Sequence, residues 1–257
     1  MNRRAPSPES GRTRLGLLIV SLVISGICVG LGIWQSRRLS ARHALNATTE
    51  AARAMPELNL NRAGPSGVLD QRRVTARGRF DHTRTFILRG RVDRESPGVQ
   101  VVVPLRLDGR LDAVLVNRGF VPAPDAARPD TSMIDRTEEA AVRGLALPIP
   151  SSPDSGAPIS YGGAETWRRL DLAAIRGRLP YPILDVYIQE IAPDSAGTPA
   201  RWPRPTALPP LDDGPHFSYM VQWFGIAAVA LVFGVAATLR RSKEVEDGRR
   251  QSKTVSS

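Results

Sequence analysis

The chain holds one cysteine in 257 residues, Cys28, and it lies in the middle of an uncharged apolar run. That scarcity excludes a disulfide framework, a cysteine zinc site and a thiol nucleophile in any globular part of the chain. Histidine is nearly as rare: His43, His82 and His216 lie far apart, and no two have the i, i+4 spacing of a helical metal pair. The glycines build neither a phosphate loop nor a dinucleotide fingerprint, and no G-x-S-x-G elbow occurs. Carboxylates such as Asp81, Asp108, Asp171 and Asp185 leave acid–base pairing open, because residues distant in sequence meet in a fold, but nothing in their spacing selects a pair. The sequence supplies no positive evidence for a catalytic constellation.

Two long hydrophobic runs are present. Leu15 to Trp34 and Tyr219 to Leu239 contain no charged residue, and at 1.5 Å per residue each is long enough to cross a hydrocarbon core of roughly 30 Å. Both are apolar all round; Ser21, Ser25 and Gln222 are not gathered on one face, so neither reads as an amphipathic surface helix. The first run also admits a cleaved signal peptide. Its length, and the arginines Arg37, Arg38 and Arg42 where a small-residue cleavage site would stand, favour an uncleaved anchor.

Lys and Arg flanks set the orientation. Residues 1–14 hold four Arg, and Arg240, Arg241, Lys243, Arg249, Arg250 and Lys253 follow the second span, whereas Asp212 to Ser218 before it has none. Both termini, 1–14 and 240–257, are therefore expected on the cytoplasmic or matrix side, with residues 35–218 outside, in a bacterial-type cell membrane or a mitochondrial inner membrane. The net charge of +10 divides into +3 in each tail and +4 elsewhere. Most of the excess is topological, and no nucleic-acid partner is expected.

Between the spans the texture is β-rich. Segments RRVTARGRF, RTFILRG, VQVVVPLRL and LDAVLVN alternate β-branched and polar residues from Arg72 to Val121, and Asp108-Gly109 predicts a hairpin turn with positive φ angles. Ala141 to Leu147 and Ile183 to Ile191 predict further strands, with a short helix near Leu170 to Arg176. Ser36 to Ala54 has the composition to continue the first helix. Pro148 to Gly163 reads as a loop, and six prolines from Pro199 to Pro215 predict an extended, poorly hydrogen-bonded path into the second span. The fold class is membrane α+β, with two transmembrane helices flanking one mainly-β extracytoplasmic domain with minor helix. Gly26 and Gly30 form a small-xxx-small pattern that would let the spans pack closely.

These segments resemble the surfeit locus protein family, assembly factors of haem-copper cytochrome c oxidase. LGIWQSRRLSAR, with Trp34, Gln35, Arg37 and Arg38, is similar to the family's helix-exit motif. VTARGRFD (Val74 to Asp81), Gly98 with VVVPLRLDG, and VLVNRGFVP (Val114 to Pro122) resemble its first strand and most distinctive block, followed in order by WRRLD, LPYPILDVY and GPHFSYMVQWF. The match spans about residues 15–240. It departs from the family at Phe120, where members usually have Trp, and at the loop Pro148 to Gly163.

The resemblance implies a non-catalytic helper that handles haem a and assists its insertion into the oxidase catalytic subunit, with that subunit and haem a synthesis proteins as partners. His216, Tyr219, Met220 and Trp223 share one helical face at the mouth of the second span, where an imidazole can offer a nitrogen to haem iron while the aromatics flank the macrocycle. The plainer alternative is a solvated histidine beside an ordinary aromatic belt. Arg118 can meet a haem propionate or an oxidase subunit, or else form an internal ion pair, with Asn117 and Gly119 making a turn. Trp34 and Gln35 read first as interface anchors. Two other functions stay open: a membrane-anchored scaffold that binds oxidase subunits without haem, and an extracytoplasmic enzyme.

Overall fold

The computed structural model describes residues 9–62, 69–150, 158–161, 164–191, 201–208 and 210–254. A long helix α1 (Glu9–Ala54) is followed by strands β1 (Leu58–Asn59), β2 (Arg73–Phe80), β3 (Phe86–Asp93), β4 (Ser96–Leu107) and β5 (Ala113–Pro122). Then come β6 (Glu139–Pro148), β7 (Ile159–Tyr161), β8 (Ala164–Trp167), helix α2 (Leu172–Arg176), β9 (Ile183–Glu190) and helix α3 (His216–Thr254). The chain divides into two compact units, Met1–Ala47 with Leu211–Ser257, and Thr48–Pro210. Two apolar helices thus flank a mainly-β unit with minor helix, the architecture expected from the sequence.

In the β unit the alternation of buried and exposed residues along β2 is what the period-2 pattern requires. The sheet runs β1-β2-β6-β9-β5-β4-β3-β8-β7, and β2 pairs a second time, with β4. The Gly78–Phe80 end of β2 bonds Leu105–Leu107 while the rest of the strand bonds β6, so β2, β6, β9, β5 and β4 close into a five-stranded ring. Closure explains the first hydrophobic cluster: Val74, Ala76, Val101, Val103, Val116, Val142 and Ile188 fill its interior. The opposite face of the same strands carries a second cluster, in which α2 and β8 cover Phe86, Val102 and Leu115 with Ile175 and Trp167. Asp171 caps α2 by accepting a hydrogen bond from the Ala174 N–H.

Local turn chemistry departs from expectation in two places. Asp108-Gly109 does sit between β4 and β5, but in a five-residue loop in which only Gly109 of the pair has positive φ. The tight two-residue hairpin lies instead between β3 and β4, where Arg94 and Glu95 both take positive φ and Asp93 pairs with Ser96. Asn117 and Gly119 do not make a turn. The β4 register jumps from Val101 opposite Gly119 to Val102 opposite Asn117, so Arg118 is the extra residue of a β-bulge.

Gly119 has φ +120°, and a Cβ there would lie 1.9 Å from the Arg204 carbonyl oxygen. The reason is that the proline-rich segment is not poorly hydrogen-bonded: Phe120 and Arg204 exchange backbone hydrogen bonds of 2.7 and 2.9 Å, and the Asp135 N–H donates to the Trp202 carbonyl. Trp202, joined by a cis peptide to Pro203, packs edge-on against Phe120, the residue that departs from the family pattern. Within Pro148 to Gly163, Ile159–Tyr161 forms edge strand β7; residues 151–157 and 162–163 lie outside the described residues, as do 199, 200 and 209 of the proline-rich approach.

The helical unit contains two segments long and apolar enough to span a membrane, within Leu15–Ala54 and His216–Leu239. Only 17 % and 11 % of their most apolar windows is buried by protein, which suits lipid-facing spans rather than core helices. Two spans return the chain to the side on which it began, so the β unit lies on one side of the membrane and both termini on the other. The helices run antiparallel with buried or half-buried residues every third or fourth position: Ser21, Ser25, Cys28, Gly32 and Gln35 on α1, and His216, Met220, Trp223, Ala227, Ala230 and Gly234 on α3.

Candidate functional site at the mouth of the helix pair

Small side chains set the distance between the two helices. The Ser25 hydroxyl donates to the Ala227 carbonyl at 3.0 Å, a Cβ on Gly234 would lie 2.6 Å from Ser21 Cβ, and one on Gly32 would lie 2.8 Å from the Phe224 ring. Gly26 and Gly30 take no part in this: an added Cβ at either meets nothing within 4 Å. The small-xxx-small pattern faces away from the partner helix, and the close approach uses glycines that the pattern does not contain.

One turn beyond Gly32 the seam becomes polar. His216, the first residue of α3, places Nδ1 2.8 Å from Gln35 Oε1, linking positions 181 apart in sequence. Gln35 is only 8 % exposed. Further along α1, His43 Nε2 lies 3.0 Å from Asp213 Oδ2 and Asn46 donates to Asp213 Oδ1 at 2.9 Å. These contacts tie the segment that leads into α3 to the part of α1 beyond its apolar run. An amide oxygen only accepts hydrogen bonds, so the proton of a neutral His216 sits on Nδ1 and the lone pair is left on Nε2.

The aromatic residues separate around this point. Met220 and Trp223 continue the half-buried stripe of α3 below His216, whereas Tyr219 is 46 % exposed on its flank. Trp34 points outward at 51 % exposure, with the Arg38 guanidinium 5.8 Å from its ring centre. Trp34 thus has the placement of an interface anchor, while its neighbour Gln35 faces the histidine.

Arg118 belongs to the β unit and its fork is engaged there. Nη1 donates to the Asp135 carbonyl at 2.6 Å, Nη2 to Asp135 Oδ2 at 3.1 Å, and the guanidinium lies 4.9 Å from the Phe80 ring centre. Burial works against the Asp135 carboxylate, yet Thr137 and Arg118 hold it below the usual range. Glu190 is pushed up to about 7 by burial, with Arg118 opposing and Asp135 adding to the shift. This half-buried trio was invisible in the sequence, because its members come from three separate segments.

Asp81, Asp171 and Asp185 have structural partners. Asp81 accepts from the Thr83 and Tyr181 hydroxyls, Asp171 caps α2, and Asp185 pairs with Arg176.

Among the described residues no group of three or more His, Cys, Asp and Glu gathers as for a bare metal ion. A bare ion takes three or four protein donors, whereas an iron already held by a macrocycle needs one or two axial ones. His216 by itself offers one nitrogen donor at this end of the helix pair.

The chain is 28 % identical over 235 residues to the SURF1-like protein of Monosiga brevicollis, covering 86 % of this chain and 87 % of that one. It is 27 % identical over 243 residues to surfeit locus protein 1 of Takifugu rubripes, covering 86 % and 97 %, and 25 % identical over 220 residues to the SURF1-like protein of Rickettsia felis, covering 84 % and 94 %. The SURF1 family profile matches residues 22–228, from inside the first span to inside the second. The chain is a member of the SURF1 family.

Proposed function

We propose that this protein is an assembly factor for haem-copper cytochrome c oxidase, and that it holds haem a as cargo on His216 before the cofactor enters the catalytic subunit. The observation that carries the reading is the His216–Gln35 contact, in which Nδ1 faces the amide oxygen and Nε2, the other ring nitrogen, does not. Haem supplies an iron that accepts such a nitrogen axially. Trp223, within the histidine's stripe, and Tyr219 on its flank offer apolar and aromatic surface for a flat macrocycle. Both termini lie on the cytoplasmic or matrix side in this reading, as the basic tails favour, and the β unit meets the oxidase subunits from outside. Haem a synthesis proteins are the source of the cargo.

Deletion of the gene tests the reading. Difference spectra of membranes are expected to lose the haem a signal of the oxidase while b- and c-type signals persist. An oxidase of normal haem a content would refute it.

A further inference from the structure

We propose that Gln35 is the positioning residue for His216: its amide oxygen selects the Nδ1–H tautomer and so presents Nε2 as the iron ligand. The proposal rests on haem being what His216 binds. In water a neutral imidazole favours the opposite tautomer, with the proton on Nε2, which cannot bind a metal until that proton is lost. A fixed acceptor at Nδ1 removes the competition and raises the basicity of the far nitrogen, as outer partners of metal-bound histidines do.

The geometry suits this task. Gln35 is 8 % exposed and its oxygen is 2.8 Å from Nδ1, so the amide is shielded from water that would compete for the bond. Gln35 lies three residues from Gly32, whose missing side chain lets Phe224, and with it α3, approach α1. The helix pair thus sets the distance, and both partners stand on rigid elements rather than on loops. An anchor at the membrane interface would have no need of burial or of this partner.

The test uses the full chain in detergent, titrated with haemin and followed by absorption, with the iron–histidine stretching frequency of the ferrous form read by resonance Raman. Q35L is expected to weaken haemin binding by about tenfold or more and to lower the stretching frequency. Q35E, which keeps an acceptor and makes it anionic, is expected to restore binding and raise the frequency above that of the parent. A purely packing role predicts equal loss in Q35L and Q35E with no frequency shift, and that result would overturn the proposal, as would parent-like behaviour of both. If Q35L does not fold, the direction of the Q35E shift still decides. H216A distinguishes the two roles: if it binds haemin as tightly as the parent, His216 is not the haem ligand; if it loses binding while both Gln35 variants are silent, only the role of Gln35 has failed.

Discussion

Replacing Glu190 by Gln should make the protein more stable at neutral pH and flatten its pH dependence. Glu190 ends β9, opposite Gly144, close enough to Arg118 and Asp135 for their charges to act on it. Burial raises its carboxyl from 4.5 to about 7. Between those values the folded protein keeps a proton that the unfolded chain has released, so the folded state binds more protons and stability falls as pH rises from about 5 to 7. A rise from 4.5 to about 7 corresponds to roughly 3 kcal/mol. For a unit of this size that amounts to a Tm difference on the order of 10 °C. Melting of the full chain in detergent, followed by the β-sheet circular dichroism signal from pH 5 to 8, checks it: the parent should lose stability across this window and E190Q should lose much less. Equal slopes in the two proteins, or an E190Q variant less stable than the parent at pH 8, would refute the account of this cluster.

Two glycines give further expectations. Gly32→Leu should destabilise the helix pair by about 1–3 kcal/mol through overpacking against Phe224, whereas Gly26→Leu and Gly30→Leu should be nearly silent; helical melting in detergent compares the three. Gly119→Ala should cost about 3 kcal/mol or more, because φ +120° and the Arg204 carbonyl both exclude a Cβ, and the loss should appear in melting of the β signal.

The parts of the fold that were legible in sequence are those with a strong local signal. Twenty uncharged residues make a span whatever surrounds them, and the alternation in VTARGRF or VLVNRGF makes a strand because one face must be buried. Ring closure was not legible: it depends on β2 pairing both β6 and β4, a relation between segments far apart in the chain. The bulge at Arg118 looked like a turn because Asn and Gly serve both purposes. Gly26 and Gly30 looked like the packing face because spacing alone does not say which side of a helix meets a neighbour; Gly32 shows that the burial does. His216 could be picked out by its place at a span mouth, but its partner could not, since Gln35 comes within reach only when two spans pair antiparallel with these two residues at the same level.

The proposed ligation of haem by His216 has a direct spectroscopic signature. The most direct measurement is the absorption spectrum of the full-length protein purified from cells that make haem a, beside that of His216→Ala. A haem a Soret and α band is expected in the parent and is lost or strongly reduced in the variant; a colourless parent, or a variant with an unchanged spectrum, would rule out His216 as the haem ligand.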